Sequence, residues 1–195
     1  GTSLRTKRPV LTEVQGRYMN TVQLTLLSLT WSVIAGVLIG VWSGRNRSKW
    51  QDYTGMTVAV SGISMPSFWI GFMLIMFFAV KYRLLPTTGA GSFKNLILPS
   101  ITLGVSIAAI IARFTRSSVI EVLKEDYVRT ARAKGLREKT VIWKHVFRNC
   151  MISVVTVVGL QFGFLLGGSV VTETVFAFPG LGSLLIESVN YRDYP

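Results

Sequence analysis

The sequence predicts an all-α membrane protein, a polytopic helical bundle with four transmembrane helices. Half of the 195 residues are apolar, yet the chain carries a net charge of +12, so charge and oil must be segregated along it. Four runs contain no Asp, Glu, Lys or Arg: Tyr18 to Gly44, Tyr53 to Val80, Asn95 to Ala112 and Asn149 to Thr172. A hydrocarbon core about 30 Å thick needs about 20 helical residues, so each run can span, the third being the shortest. In lipid a helix satisfies its own backbone polar groups, which makes it the expected conformation for every run.

The first run carries Gly36, Gly40 and Gly44, and the fourth carries Gly159, Gly163 and Gly167. Residues four apart share a helix face, and small residues let helices approach closely in lipid, where no hydrophobic force drives them together. Both trios are therefore expected to be packing seams, either within this bundle or against a second subunit. In the second run, SGISMPSFW places Pro66 mid-helix. Proline removes one backbone hydrogen bond, Ser61, Ser64 and Ser67 are at hand to re-satisfy the freed groups, and a kink or hinge is expected. No ionisable residue lies inside a run, which argues against a proton or sodium relay. Gln161 and Gln23 are then the largest polar side chains at depth. An interhelical hydrogen bond is the ordinary role for each, and Pro66 and Gln161 are the candidates for a passage or hinge.

Orientation follows from Lys and Arg. The segments 1–17, 45–52, 81–94, 113–148 and 173–195 hold four, three, three, ten and one of them, so the second and fourth together carry thirteen against eight. Basic loops stay in the cytoplasm, which puts 113–148 inside and both ends of the chain outside. The chain starts at Gly1 and stops at Pro195, and an excerpt of a longer protein is expected.

Several chemistries find no support. Cys150 is the only cysteine and His145 the only histidine, so neither a disulfide nor a Cys/His metal site is expected. The G-x-x-x-x-G-K-[ST] phosphate loop is absent, so ATP and its magnesium would be handled on another chain. No catalytic, cofactor-binding or metal-binding residue is assigned.

Between the third and fourth runs lies DYVRTARAKGLREKTVIWKHVFRN, Asp126 to Asn149, with seven basic residues against two acidic ones. Ile120, Leu123, Tyr127 and Ala131 recur at helical spacing, and so do Ile142 and Val146 beside Trp143 and Phe147. Two short amphipathic helices joined at Gly135 are predicted. Gly135 suits the left-handed residue after a helix, with Leu136 folding back on the preceding turn, while Arg137 is a poor N-cap for the helix that follows. Such a knob could lie on anionic lipid, bind nucleic acid or dock a protein; the absence of any nucleic-acid fold disfavours the second.

Glu125 to Asn149, with Ala131 and Gly135 four apart, resembles the cytoplasmic coupling loop of bacterial ABC-importer permeases, known as the EAA motif. Arg129 and Thr130 stand where that motif has Glu and Ala, and R-T-A-R-A-K-G with H-x-x-R-N is similar to the dipeptide and oligopeptide branch. LLPTTGAGS with LILPSITLG, and ETVFAFPGLGSLL with YRDYP, resemble outer segments of the same branch. The resemblance covers nearly the whole chain. It implies a type I permease fold and one permease domain over 1–195, with one helix missing at each end and a coupling loop at 113–148. It also implies a bacterial or archaeal cytoplasmic membrane and an ATP-driven importer of peptides, with glutathione or nickel chelates as variants. The implied partners are a second homologous permease, two ABC ATPases and an outer substrate-binding protein. Tyr127, Arg129, Ala131, Arg132, Gly135 and Leu136 are the coupling residues it implies, with Ala131 and Gly135 facing the ATPase groove. An ATP-independent channel or carrier is the reading from another class.

On the outer side, Phe178-Pro179-Gly180-Leu181 predicts a type II turn, and LLIESV a short amphipathic helix. By the resemblance, this outer element with Pro179 and Gly180 would face the binding protein; the alternative is a loop that merely caps the bundle.

Overall fold

A computed structural model describes residues 1–89 and 91–194. Ala90 of the LLPTTGAGS motif and Pro195 of YRDYP lie outside the described residues. The elements are α1 (Val10–Arg45), α2 (Trp50–Ser64), α3 (Ser67–Leu74) with a π-helical continuation (Ile75–Lys81), and α4 (Phe93–Val122). They continue with α5 (Asp126–Ala133), α6 (Glu138–Thr140), a π-helical segment (Val141–Phe147), α7 (Arg148–Gly168), α8 (Val170–Val175) and α9 (Leu181–Asn190). The only β feature among the described residues is an isolated bridge between Thr2 and Pro9. Val10–Arg45, Phe93–Val122 and Glu138–Gly167 are each long and apolar enough to cross a membrane, and the broken pair α2 with α3 makes a fourth span if it crosses as one.

The helices outrun the uncharged runs that predicted them. At 36 residues α1 is about 54 Å long, well beyond a hydrocarbon core, because a helix does not end where its apolarity ends. In the second run the kink expected at Pro66 is a full break. Pro66 is extended (φ −60°, ψ 136°) and stands at the N-cap of α3, as proline's lack of an N–H and its clash with the preceding residue dictate. The carbonyl that position 66 would have served, Gly62 O, accepts instead from the Ser106 hydroxyl of α4 at 3.4 Å. Ser61 and Ser64 donate to Val58 and Val60 carbonyls within their own helix.

The chain divides into two compact units, one of residues 29–64 and 105–161, the other of residues 1–28, 65–104 and 162–195. In the first unit α1 packs on α4 along Gly36, Gly40 and Gly44. A methyl group on Gly36 would lie 2.7 Å from the Ala108 carbonyl oxygen, one on Gly40 2.5 Å from Thr115 Cβ, and one on Gly44 2.8 Å from Val119 Cγ1. The backbones meet at this ridge because nothing larger than hydrogen fits. Gly62 of α2 similarly seats against Val105, beside a small-residue cluster of Ala59, Ala109 and Ala112. The other ridge differs. Around Gly159, Gly163 and Gly167 no atom of the described residues lies within 4 Å of where a methyl group would stand, so among the described residues they form no seam. All three are exposed, next to exposed Val155, Leu160 and Phe164.

The second unit has its own apolar core of Leu24, Leu98, Phe176 and Phe178, with Leu74, Ile75 and Val175 packed against it. Gly71 lets α3 approach Val175 and Phe176, each 3.2 Å from where its Cβ would be.

Candidate functional site

The basic arm is a structured knob. α4 ends at Val122, a tight turn is closed by Lys124 N–H to Glu121 O and Glu125 N–H to Val122 O, and α5 begins at Asp126. Ile120 thus belongs to α4, and the first predicted amphipathic helix is two helices meeting at this turn. Asp126 in the first turn of α5 and Arg132 in the last complement the helix dipole. The end of α5 is a Schellman motif: Leu136 N–H reaches Ala131 O (3.3 Å), Gly135 N–H reaches Arg132 O (2.9 Å), and Gly135 has φ +75°. The second predicted arm helix is not separate. From Glu138 it runs on without a break into the span that ends at Gly167.

Arg137 is the N-cap of this long helix and makes no side-chain capping bond. The brace comes from Arg132, whose Nη2 and Nε donate to Glu138 Oε1 (2.7 Å) and Oε2 (3.2 Å) across the Gly135 joint. That bidentate pair holds the Arg132 guanidinium above its usual pKa. Arg129 lies 3.7 Å from Asp126, and both are so exposed that their attraction is worth little.

Ala131 corrects the expectation that it faces a partner's groove. It is buried in the knob's own core with Val119, Val128, Val141, Ile142, Val146 and Cys150, so its small size serves internal packing. Tyr127, Arg129, Thr130, Arg132 and Leu136 are exposed, and they form the outward face. Partial burial raises the Tyr127 hydroxyl above its ordinary pKa. Gly135 has open space around it, so its requirement is conformational alone.

Of the passage and hinge candidates, Pro66 is exposed at the helix break and Gln161 is half-buried; Gln23 is exposed on the surface of α1. The residues that sequence reasoning missed are ionisable and buried. Asp52 and Glu173 each stand one position outside an uncharged run, at 53–80 and 149–172, so the charge pattern alone puts them in the flanking segments. Asp52 is 3% exposed and accepts from Arg116 Nε (2.5 Å), Arg116 Nη2 (2.7 Å) and Ser48 N–H (3.0 Å).

Glu173 is fully buried and ties three segments together. Its Oε1 accepts from the Thr21 hydroxyl (2.9 Å) and the Ser169 hydroxyl (2.6 Å), and its Oε2 from Ser183 N–H (2.9 Å) in the first turn of α9. Thr21 Oγ1 also accepts Leu181 N–H (2.8 Å), so one carboxylate and one hydroxyl take two of the N–H groups at the open N-terminus of α9. The type II turn at Phe178–Leu181 does not form. Gly180 has φ −108°, not the positive φ that such a turn needs at its third residue, and it serves instead as N-cap of α9. Its lack of a side chain has a packing cause: a Cβ there would stand 2.3 Å from the Glu173 carboxylate. Pro179 O accepts from Asn20 Nδ2 at 2.9 Å, and the predicted LLIESV helix is present as α9.

Comparison with known proteins defines the class. Residues 36–195 match the family described as binding-protein-dependent transport system inner membrane component, and the chain belongs to that family. Along its whole length it is 55% identical to the glutathione transport system permease protein GsiC of Pectobacterium atrosepticum and 54% identical to that of Escherichia coli strain K12. It spans 64% of the length of each of these relatives. The fold is also that of a chain in the inward-facing MetNI methionine ABC transporter, with TM-score 0.79 at 20% identity over 96% of this chain and 84% of that one. An amino acid ABC transporter crystallised with histidines gives TM-score 0.71 at 16% identity over 95% and 82%.

Proposed function

We propose that this chain is the membrane-spanning permease part of an ATP-driven importer of peptide-class solutes, with glutathione a leading cargo. The observation that carries this is an overall identity of 54–55% along the full 195 residues with permeases named for glutathione transport. Dipeptides and oligopeptides stay within the same reading, since in such systems the selective pocket sits on a separate binding protein. A second homologous permease completes the passage, two ABC ATPases bind on the cytoplasmic side, and the binding protein delivers cargo from outside. ATP and magnesium belong to the ATPase chains.

The mechanical part assigned to this chain is coupling. The knob is rigid: a buried core, a Schellman end and the Arg132–Glu138 brace fix α5 on a helix that continues directly into a span. A push on Tyr127 or Leu136 by a closing ATPase therefore reaches the membrane through packed side chains and one unbroken helix, as rigid-body switching requires. Apolar and aromatic groups on that face give docking energy, and the surrounding Lys and Arg give register and association rate. The exposed ridge of Gly159, Gly163 and Gly167 is then the surface we assign to the second permease.

The test is reconstitution of the full-length protein with its partner permease, ATPases and binding protein in proteoliposomes. Uptake of labelled glutathione or a dipeptide is expected only with ATP and loaded binding protein. Uptake that proceeds without ATPase chains would overturn the assignment in favour of a channel or carrier.

A further inference from the structure

Buried Asp52 and its half-buried partner Arg116 stand at one end of an open cavity of about 710 Å³, lined further by Tyr53, Met56, Thr57, Val60, Ser61 and Ser64. Its polar lining lies along one exposed face of α2, with Tyr53, Thr57, Ser61 and Ser64 at intervals of three and four residues. A face of hydroxyls ending at two charges is ill suited to lipid. Ionisable groups within spanning helices face a bundle interior or a water-filled space. The volume lies in the range of small-molecule sites.

The two partners are unequal. Asp52 is 4% exposed at its side chain and its carboxylate already accepts three hydrogen bonds, so it has little left to offer a ligand. The Arg116 side chain is 31% exposed, and Asp52 takes only Nε and one N–H of Nη2 among the five guanidinium N–H groups. A guanidinium fixed along one edge presents its other edge in a set orientation, the arrangement that recognises carboxylates. The Ser61 and Ser64 hydroxyls donate to Val58 and Val60 carbonyls, which leaves their oxygens to accept N–H groups. One charged donor beside a row of hydroxyl acceptors matches a short peptide: carboxylate at one end, amide N–H groups along its length.

We infer that this cavity is a cargo subsite that takes a carboxylate of a peptide-class solute on Arg116, with Asp52 as the residue that positions the guanidinium. The inference rests on the proposed importer function and deepens it. The pair then does more than join α2 to α4: it gives the passage a weak affinity for carboxylate-bearing cargo.

The test uses the purified complex of full-length permeases and ATPases without nucleotide or binding protein, so that cargo affinity of the membrane part is read alone. Its melting temperature is followed against glutathione and against glutathione amidated at its glycine carboxylate. For the wild type, glutathione should give a saturable stabilisation and the amide a weaker one. Arg116→Gln should raise the glutathione midpoint at least about tenfold, and Arg116→Lys should recover part of the loss. Because Arg116→Gln strands the Asp52 carboxylate, the double variant Asp52→Asn with Arg116→Gln removes both charges. It should melt near the wild type without cargo and still fail to respond to glutathione. An equal glutathione midpoint in the wild type and the double variant would reduce the pair to a structural brace and overturn the inference, as would a wild type indifferent to glutathione. ATP-driven uptake is measured in parallel: uptake retained with no Arg116 dependence removes this subsite alone, whereas absence of uptake with all partners present removes the importer reading beneath it.

Discussion

Glu173 shows how much one side chain can organise when its surroundings supply donors. Its two carboxylate oxygens are engaged by Thr21, Ser169 and Ser183, and Gly180 is pressed against them. Glu173→Gln turns one oxygen into a donor facing donors, and a buried mismatch of that kind costs about 1–3 kcal/mol. Gly180→Ala forces a methyl group into the carboxylate, an overpacking of about the same size. Both variants should lower the melting temperature of the purified protein and expose the α8–α9 segment to protease, and unchanged melting in both would show that the tie is dispensable. Asp193 acts at the other end of α9. The Ser3 hydroxyl and Leu4 N–H donate to it and hold its carboxyl below the usual carboxylate range. A carboxyl whose folded pKa is depressed stabilises above its unfolded value and loses that contribution as pH falls through the folded one. Protection of the Leu4 amide from hydrogen exchange should therefore be full at neutral pH and fade only below about pH 4, where the unfolded carboxyl titrates. Asp193→Asn should remove that protection at pH 7. None of these ties was legible in the sequence, because the partners of Glu173 and Asp193 are distant in the chain and a lone acid beside an apolar run reads as a loop boundary.

At the scale of elements, the helices were legible wherever lipid selects for them, and the joints were legible only where a residue has a singular conformation. Gly135 is such a residue: its φ of +75° closes α5 as expected. The break at Pro66 was visible, but its repair by Ser106 was not, since that donor sits on another helix. The burial of Ala131 is not legible in the sequence because a small residue on an amphipathic helix fits an outer groove and an inner core equally well, and periodicity alone does not tell which side is covered. Its burial separates two kinds of variant. Ala131→Trp should overpack the knob's core, costing about 1–3 kcal/mol, and lower both protein yield and ATPase association. Tyr127→Ala and Leu136→Ala alter only exposed groups, so they should leave yield and melting unchanged while reducing copurified ATPase and cargo-stimulated hydrolysis. Gly135→Ala meets no atom and should cost about 1 kcal/mol through backbone strain alone. If Tyr127→Ala and Leu136→Ala retain full ATPase association and uptake, the outward face of α5 is a lipid-resting surface and not a docking one.

For the molecule as a whole, the decisive quantity is which side of the membrane each segment occupies, and it follows from charge. Ten of the 21 basic residues fall in 113–148, and no other interhelical segment holds more than three. Loops with such an excess are retained in the cytoplasm, so the knob is expected inside, and 81–94, separated from it by one candidate span, is expected outside. The break in the second run makes this a sharp test. If α2 and α3 cross together, the sides alternate at every segment; if they enter and leave on one side, 45–52 and 81–94 share a side. Single cysteines at Lys49, Lys94 and Lys139 in a Cys150→Ala background distinguish these cases, since Cys150 is buried and its removal leaves no other thiol. With intact cells and a thiol reagent that cannot cross the membrane, Lys94→Cys should label at once, while Lys49→Cys and Lys139→Cys should label only after permeabilisation. Labelling of positions 49 and 94 together would mean that the pair does not cross. Labelling of 139 with 94 protected would invert the protein, turn the knob away from any cytoplasmic ATPase and remove the basis for coupling.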